Sequence, residues 1–366
     1  MSIWKYADLL PPLAESQRIS LGEGNTPLVR SRQIGPAAGI KNLFFKLESS
    51  NPTGSYKDRF AVAAVGHLLG AGKRAVLATS SGNAGSALAA VCAAAQIPCC
   101  LAITESAPEG KLRQMLAYGA RLFRIRGFGP DAQVYDAVTQ GLPQLAVEMG
   151  AAMQISAFCY APLGMAGVQT ISYELGEQLP GGMDHVFTQA GGGGLTLGVA
   201  RGFERLLREG QIDRAPAVHC VQPAGNDTIA SALRQGAAWA RECNCTTAIG
   251  GLQVPRVADG NETIASCRAS GGNGYLIDDS SAYAAQVRLA REEGIFAEPA
   301  GATALAGMLD ARERGELEAD ATVVCLVTGS GFKDEVSSAR MVEAVGAPMM
   351  EDFNQFRQVC LEITGE

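Results

Sequence analysis

Histidine is scarce in this sequence, since the 366 residues include only His67, His185 and His219. Each of the three lies alone in an apolar or neutral stretch, so we interpret them as structural residues. Ten cysteines occur singly or in two close pairs, without the paired C-x-x-C spacings that build zinc sites. The sequence therefore disfavours a histidine base and predicts no metal site, and we expect its thiols to be reduced and partly buried.

Long apolar runs and an excess of positive charge are also lacking. The 30 Lys and Arg residues stand against 37 Asp and Glu, and the net charge of -7 excludes a general attraction to nucleic acids or anionic membranes. The longest weakly polar stretch, residues 75–103, is interrupted by Asn83, Gln96 and Pro98, which argues against a membrane span. Residues 1–12 lack the apolar run of a secretory signal. We therefore expect a cytoplasmic protein with neither a nucleic-acid nor a membrane partner.

What is present is a globular composition with alternating strand and helix patterns. A chain of 366 residues, 47% of them hydrophobic, suggests about two domains with a cleft between them. Short apolar runs predict strands at Asn42-Leu47, Ala75-Thr79, Cys99-Ile103, Arg121-Ile125, His185-Thr188, Val218-Val221 and Thr322-Val327. Helices are predicted at Ala61-Gly70, Ala84-Ala95, Lys111-Tyr118, Met165-Gln178, Thr196-Glu209, Ala282-Glu293 and Thr303-Arg314. This alternation predicts an α/β protein whose parallel sheets are covered by helices on both faces. Ligands of such sheets bind at the carboxyl ends of the strands.

Lys57 stands out in the loop Asn51-Pro-Thr-Gly-Ser-Tyr-Lys-Asp-Arg59, which follows a predicted strand. A lysine held at the positive end of a helix dipole and partly desolvated has its charged form disfavoured, so it becomes a usable amine nucleophile. The alternative is an ordinary surface lysine paired with Asp58.

Two further loops that follow strands suit anions. Thr79-Ser-Ser-Gly-Asn-Ala-Gly85 offers hydroxyls, an amide and backbone N–H groups to a carboxylate, although Ser and Asn are also common helix caps. Gln189-Ala-Gly-Gly-Gly-Gly-Leu195 exposes successive N–H groups to a phosphate, the alternative being a flexible turn. With Lys57, these loops describe an amino acid bound near a phosphorylated carbonyl cofactor, pyridoxal 5'-phosphate.

An ordered set of motifs carries a family resemblance over nearly the whole chain. They are Gly22-Glu-Gly-Asn-Thr-Pro-Leu28, Asn51-Pro-Thr-Gly-Ser-Tyr-Lys-Asp-Arg59, Ser80-Ser-Gly-Asn83 and Thr328-Gly-Ser-Gly-Phe-Lys-Asp334. The set resembles the fold-type II pyridoxal-phosphate enzymes, and most closely the threonine synthase family. The resemblance implies two three-layer αβα domains with mainly parallel sheets, an active site in the cleft between them, and a homodimer. It also implies a large cofactor-binding domain of residues 1–60 plus 159–366. The smaller mobile domain, residues 61–158, would carry the loop that binds the substrate carboxylate.

The same resemblance implies roles for particular residues. Lys57 would form the Schiff base with the cofactor and remove the Cα proton, and Asn83 would hydrogen-bond the cofactor's 3'-oxygen. Gly191, Gly192, Gly193 and Gly194 would hold the cofactor phosphate, and the Thr328 hydroxyl would meet the pyridine nitrogen. Ser80 and Ser81 would hold the substrate carboxylate, with Ala84 and Lys111 also facing the substrate.

The implied reaction converts O-phospho-L-homoserine and water to L-threonine and phosphate. Several positions depart from the family pattern, because Phe158, Cys159 and Gly164 occupy places where an Asn-Ser pair and an Arg are usual, and Ala84 replaces a Thr. Phe296-Ala-Glu-Pro-Ala-Gly-Ala302 is more similar to serine and threonine dehydratases. An alternative is therefore a β-eliminating or β-replacing enzyme acting on serine, threonine or O-phosphoserine, similar to a dehydratase or a cysteate synthase. A third possibility is a catalytically silent homologue that binds a metabolite.

Overall fold

Two mainly parallel sheets form the framework of the protein. The structure is a computed structural model that describes residues 2–107, 109–129, 131–343 and 345–364. The strands of the described chain are β1 (Leu28–Arg30), β2 (Asn42–Leu47), β3 (Val76–Ala78), β4 (Cys99–Thr104), β5 (Arg121–Ile125), β6 (Ala152–Met153), β7 (His185–Gln189), β8 (Ala217–Pro223), β9 (Gly274–Ile277) and β10 (Thr322–Val327). A six-stranded sheet has the order β1-β2-β10-β7-β8-β9, and a four-stranded sheet has the order β5-β4-β3-β6.

Helices follow most of the strands. The first seven are α1 (Ile34–Ala37), α2 (Lys57–Gly70), α3 (Asn83–Ala94), α4 (Glu109–Ala117), α5 (Ala132–Glu148), α6 (Pro162–Ala166) and α7 (Thr170–Gln178). The others are α8 (Gly194–Arg208), α9 (Ala230–Arg234), α10 (Gly260–Ala269), α11 (Asp279–Glu293), α12 (Pro299–Glu313), α13 (Glu335–Val342) and α14 (Phe353–Thr364). The predicted α/β class is confirmed.

All seven predicted strands are present, and the three that were not predicted lie at sheet edges. These are β1, β6 and β9, which have three, two and four residues. An edge strand is paired on one side only, so it tends to be short and does not need a continuous apolar run. β1 also runs antiparallel to β2, the one antiparallel pair among the named strands of the described chain.

The predicted helix from Met165 to Gln178 is wrong as a single element. The chain instead forms α6, a 3₁₀ turn at Gly167–Gln169, and α7. A Cβ atom at Gly167 would collide with the carbonyl oxygen of Arg59 in α2, so the turn presses its backbone against the neighbouring helix. Helix α5 was missed, since Pro143 within it interrupts the sequence pattern of a helix.

The core is shared between the two sheets. One apolar cluster includes Val76 and Leu101 of the small sheet together with Val186 and Val324 of the large one. All strands of the small sheet lie between residues 76 and 153. The domain boundaries at residues 61 and 158 remain a prediction. Within the described chain, the structure has no helix long and apolar enough to cross a bilayer.

Two of the three histidines, the buried His219 and the half-buried His185, are hydrogen-bonded to each other in the large sheet. The Asn273 N–H donates to His219 Nδ1 at 3.0 Å, which leaves the Nε2 hydrogen of His219 to donate to His185 Nδ1, also at 3.0 Å. Burial lowers the pKa of His219 to about 3, assisted by the neighbouring His185. The structure thus keeps this ring neutral, in a structural position.

Lowering the pH from 6.5 to 5 is expected to lower the free energy of unfolding by at most about 2 kcal/mol, because His219 binds a proton only in the unfolded chain. The contribution of the neutral His219 ring to stability is fully present above pH 6.5, where the ring is also neutral in the unfolded chain. This contribution is lost as the pH falls towards 3, because only the unfolded chain binds the proton. Urea unfolding at pH 5 to 7 would measure the slope. His219→Asn should flatten it, and a slope that the variant leaves unchanged would contradict this assignment. His67→Asn is the comparison, because burial lowers the pKa of this half-buried histidine to a smaller extent and its loss should flatten the slope less.

Candidate active site

Four of the predicted site segments meet, and each follows the carboxyl end of a parallel strand. The chain leaves β2 for Lys57, β3 for Asn83, β7 for the glycine loop and β10 for Thr328. Strands β2, β10 and β7 are direct neighbours in the large sheet, whereas β3 belongs to the small one. Two backbone contacts, from the Tyr56 N–H to the Thr328 carbonyl (3.1 Å) and between Ser55 and Gly329, join the lysine loop to the end of β10.

Lys57 is the first residue of α2, and it is half-buried. Nζ donates to Ser156 Oγ at 2.7 Å and lies 4.7 Å from the centre of the Tyr56 ring. The alternative surface pair with Asp58 is not formed, because the Asp58 carboxylate is buried and accepts bonds from the Thr53 N–H (2.7 Å) and hydroxyl (2.5 Å). Burial raises the pKa of Asp58 to about 6.

The loop that carries Ser156 is held by the buried carboxylate of Asp259. Its two oxygens accept the backbone N–H groups of Phe158 (2.7 Å) and Cys159 (2.9 Å). The Asp259 N–H in turn donates to the Gly192 carbonyl at 3.0 Å. One residue therefore ties the partner of Lys57 to the glycine loop.

The glycine loop at residues 191–194 has no room for side chains. Gly193 has φ +97°, and a Cβ atom there would collide with Thr263 Oγ1. At Gly194 a Cβ would lie 2.9 Å from Asp259 Oδ2, and at Gly191 2.9 Å from Val254 Cγ2. Helix α8 begins at Gly194, so the backbone N–H groups of this loop lie at the positive end of a helix, an arrangement that suits a phosphate.

Replacing Gly193 by alanine is expected to weaken binding of a phosphate-bearing ligand at this loop by at least about tenfold, because the strained and crowded backbone must shift. Fluorescence titration of the protein with pyridoxal phosphate would measure the dissociation constant. Gly210→Ala is a matched control, since Gly210 also has positive φ (+66°) but has open space around it at the far end of α8. Equal losses in both variants would contradict a local effect.

Thr328 is buried next to Gln189 at the end of β7. Gln189 Nε2 donates to Thr328 Oγ1, and Gln189 Oε1 is buried without a hydrogen-bond partner among the described residues. A hydroxyl that accepts the amide hydrogen keeps its own hydrogen free to donate to a ligand.

Asn83 faces a cavity between α4 and the segment after β10. The cavity is lined by Gly82, Asn83, Ser86, Gly110, Lys111, Gln114, Gly250, Gly251, Glu298, Phe332 and Lys333. Asn83 Nδ2 donates to Glu298 Oε1 at 2.7 Å, a contact between residues 215 positions apart. Because a Cβ atom at Gly329 would meet Glu298 Oε1 and Asn83 Nδ2, the cavity adjoins the end of β10 directly.

Two lysines line this cavity. Lys333 Nζ donates to the Thr53 carbonyl (2.9 Å) and to Gln114 Oε1 (2.6 Å), and burial lowers its pKa against the opposing effect of Glu298. Lys111 Nζ lies 3.7 Å from Asp334 Oδ2. The cavity therefore offers positive charge to an anionic group. No cluster of His, Cys, Asp and Glu able to hold a metal ion occurs in the part of the chain that the structure describes.

The structure brings only some of the predicted substrate residues to the cavity. Asn83 and Lys111 line it, whereas Ser80, Ser81 and the buried Ala84 do not. Ser80 and Ser81 precede α3, and Ser80 Oγ accepts the Gly82 N–H at 3.2 Å. Contact of these serines with a substrate carboxylate remains a prediction.

Neither Ser156, Asp259, Gln189 nor Lys333 was assigned a role from the sequence, and Glu298 was noted only within the segment similar to dehydratases. Gln189, Glu298 and Lys333 lie inside quoted motifs, so the motifs could have drawn attention to them. Ser156 and Asp259 carry no local signal, since each becomes part of the site only through contacts across the fold.

Comparison with known proteins relates the chain to enzymes of one family. A family model described as pyridoxal-phosphate dependent enzyme matches residues 19–329. The threonine synthase of Methanocaldococcus jannaschii is 32% identical over 346 residues, which cover 94% of this chain and 83% of that protein. The threonine synthase of Methanosarcina acetivorans is 32% identical over 359 residues, covering 96% and 84%.

Solved structures share the fold at lower identity. The processed form of threonine deaminase isoform 2 from Solanum lycopersicum superposes with a TM-score of 0.75 at 20% identity, covering 94% of both chains. Maize serine racemase superposes with a TM-score of 0.73 at 22% identity, covering 94% of this chain and 97% of that one.

Proposed function

The chain belongs to the family of pyridoxal-phosphate-dependent enzymes, and from this membership we propose that it converts O-phospho-L-homoserine and water to L-threonine and phosphate. It is a threonine-synthase-like lyase whose cofactor is pyridoxal phosphate. The observation that carries the choice of substrate is the pair Lys111 and Lys333, which line one cavity beside Asn83. Two ammonium groups there favour an amino acid with an anionic side chain.

The residues present fit the cofactor. The loop of Gly191 to Gly194 offers a backbone cradle that any Cβ atom would crowd, as a bound phosphate requires. Thr328 is oriented by Gln189 so that its hydroxyl hydrogen is free for a pyridine nitrogen. When bound, pyridoxal phosphate would supply an electron sink for negative charge at the Cα atom of an amino acid.

Lys57 is the residue that would anchor the cofactor and move the Cα proton. Its position at the first turn of α2 and next to the Tyr56 ring restricts the amine to the site. Ser156 Oγ accepts a hydrogen from the Lys57 ammonium, and as a hydroxyl it can equally donate to the neutral amine. The pair can therefore hold Lys57 in place in either protonation state.

The side-chain phosphate of the substrate would be held by Lys111 and Lys333. The Lys333 ammonium group donates two of its three hydrogens to Thr53 and Gln114, which leaves one hydrogen for a ligand. The position where the family usually has an arginine is Gly164, which packs against α2 so closely that a Cβ atom would lie 2.7 Å from that of Ala64. The two lysines thus take over a function that an arginine cannot fill here.

The second candidate is elimination from O-phosphoserine, serine or threonine. It is favoured by Glu298, which brings a carboxyl group into the cavity in a segment similar to that of the dehydratases. The same Lys57, Asn83 and lysine pair would serve a three-carbon phosphorylated substrate.

Product analysis separates the candidates. The holoenzyme would be incubated separately with O-phosphohomoserine, O-phosphoserine, serine and threonine, and phosphate, threonine, keto acid and ammonia would be assayed. Phosphate and threonine in equal amounts from O-phosphohomoserine are the expected result. Keto acid from a three-carbon substrate, with no turnover of O-phosphohomoserine, would support elimination instead. Turnover of none of the four would leave a metabolite-binding protein.

Replacing Lys111 by methionine is expected to raise KM for O-phosphohomoserine about tenfold or more, with kcat changed less, because the loss removes a charged contact to the substrate phosphate. Steady-state phosphate release measures both constants. Arg113→Met is the matched control, since Arg113 lies on the same helix but is exposed and paired with Glu335. A similar rise in both variants would contradict a direct contact.

The proposal includes a cytoplasmic homodimer with a mobile small domain of residues 61–158. The family resemblance supports the homodimer and the mobile small domain. Support for a partner surface comes from α14, where Phe353 and Ile363 are among the exposed apolar side chains. Light scattering of the purified protein would give the oligomeric state, and a monomer would contradict the proposed homodimer.

A further inference from the structure

Glu298 is a buried acid beside the cavity, and no cation among the described residues is bonded to it. Its side chain is 7% exposed. Among the described residues its carboxylate accepts a single hydrogen bond, from the neutral amide of Asn83, and forms no ion pair. Glu48 and Glu174, in contrast, are both bonded to Arg59. A buried carboxyl group with only a neutral partner is expected to bind a proton readily.

The charged groups that face Glu298 moderate this tendency without cancelling it. Lys333, in the segment after β10, and Lys111, on α4, line the same cavity, but each is engaged elsewhere. Burial raises the pKa of Glu298 to about 7, although the Asn83 bond and the two lysines oppose the rise and Asp334 adds to it. Near neutral pH the carboxyl group is thus present in both forms, as a group that exchanges protons must be.

Asn83 places this carboxyl group next to the reacting atoms of the proposed reaction. An amide nitrogen carries two hydrogens, and one of those on Asn83 is directed at Glu298 Oε1. The other is left for the cofactor oxygen that the family resemblance assigns to Asn83. Glu298 and the cofactor would then be held by the same amide, one on each hydrogen.

We propose that Glu298 is a further catalytic residue, which takes the proton of the water molecule that adds to Cβ of the substrate. This inference rests on the proposed function. Loss of phosphate from Cγ, with proton transfer to Cγ by Lys57, leaves a double bond between Cα and Cβ of the substrate. One O–H bond of the water then breaks, its oxygen bonds to Cβ as the hydroxyl of threonine, and the water proton goes to the Glu298 carboxylate. The electron pair of the double bond moves to Cα, where Lys57 returns a proton. The neutral carboxyl group that results returns its proton to solvent when the product leaves.

A second base is needed because Lys57 is occupied. Its amine moves the proton at Cα, and in the structure its hydrogen bond goes to Ser156, not to the cavity that Glu298 lines. Lys111 and Lys333 are unsuited to accept a proton while they hold a phosphate, since a phosphate favours their charged forms. Among the residues that line the cavity, Glu298 is the one carboxyl group.

The experiment compares Glu298→Gln with the wild-type holoenzyme on O-phosphohomoserine. Glutamine keeps the size and the acceptor for Asn83 but cannot take a proton. We expect kcat for threonine to fall at least about 100-fold, while phosphate is still released and the product shifts to keto acid and ammonia. In the pH profile of the wild type, kcat should fall below pH about 7 as the carboxylate is protonated. This acidic limb of the profile should be absent from the variant.

A readout that needs no turnover is the pH titration of the visible absorption of bound pyridoxal phosphate. Because Asn83 connects Glu298 to the cofactor, the wild type should show a midpoint near pH 7 that Glu298→Gln lacks. Glu335→Gln, an exposed acid paired with Arg113, is the matched control and should change neither readout. If Glu298→Gln does not fold, Glu298→Asp, which keeps the titrating group, should form threonine at a reduced rate and retain the pH limb.

The outcomes distinguish this proposal from the proposed function. Threonine formation with unchanged kcat, product ratio and pH limb in Glu298→Gln would overturn the role of Glu298, since the proton would then go elsewhere, for example to the released phosphate. A rise in KM alone would also overturn it in favour of a binding role. Absence of phosphate release by the wild type would instead remove the proposed function, and the role of Glu298 with it.

Discussion

Replacing Lys57 by alanine is expected to lower turnover by about 10⁴-fold or more and to abolish the visible absorption of bound pyridoxal phosphate. Lys57 has no substitute among the described lysines near the site, because Lys333 is hydrogen-bonded to Thr53 and Gln114, and Lys111 lies beside Asp334. An absorption spectrum of each purified protein with added cofactor, together with the phosphate-release assay, would measure both effects.

Two variants control for charge and for general damage. Lys57→Arg keeps the positive charge near Ser156 but lacks the primary amine, so it should be as inactive as the alanine variant. Lys41→Ala, at an exposed lysine just before β2, should match the wild type. A Lys57→Ala protein that still turned over O-phosphohomoserine at a tenth of the wild-type rate would remove Lys57 from the chemistry.

Replacing Arg59 by methionine is expected to lower the free energy of unfolding by about 3 to 5 kcal/mol. The guanidinium group is fully buried and bonds Glu48 (2.7 Å) and Glu174 (2.6 Å), so its loss leaves buried carboxylates without their main partner. Burial alone would raise the pKa of Glu174, but Arg59 and Lys46 together lower it to about 2. Urea unfolding at pH 7, followed by circular dichroism, would give the difference.

The control is Arg113→Met, which removes an exposed ion pair and should change stability by less than about 0.5 kcal/mol. The double variant Arg59→Met with Glu48→Gln should recover part of the loss, because it removes one of the orphaned charges. A loss below about 1 kcal/mol in the single variant would mean that the buried carboxylates find other partners or become protonated at little cost.

The ion pairs of Arg59 with Glu48 and Glu174 are also expected to affect activity, because Arg59 lies two residues after Lys57 in the first turn of α2. Glu48, just after β2, and Glu174, in α7, anchor that turn from two sides. A loosened turn would displace Lys57, so the Arg59 variant is expected to bind the cofactor more weakly even where it remains folded.

Much of the fold could be predicted from the sequence because buried parallel strands have continuous apolar runs. The central strands β2, β7 and β10 were predicted within one residue of their ends. The edge strands β1, β6 and β9 were missed since each is short and paired on one side only. The break between α6 and α7 was missed because it depends on the approach of Gly167 to α2, which no local pattern records.

The sequence by itself determined much of the grouping of the residues that we propose to hold the cofactor. Lys57, the Gly191 to Gly194 loop and Thr328 each follow a strand of the large sheet, and a parallel sheet gathers the ends of its strands at one edge. The order of strands and helices along the chain was therefore enough to expect these three near one another. Asn83 follows β3 of the small sheet, so its place beside them depends on how the two sheets pack.

Only the tertiary structure decided which partners the side chains of the candidate site have. Glu298 and Asn83 are 215 residues apart, Lys333 and Gln114 are 219 apart, and Lys57 and Ser156 are 99 apart, yet each pair is in hydrogen-bond contact. Whether a carboxyl group or an ammonium group faces a ligand depends on which partners the fold brings within about 3 Å and on how much water it excludes. These quantities arise from packing between distant segments, and a local sequence pattern does not contain them.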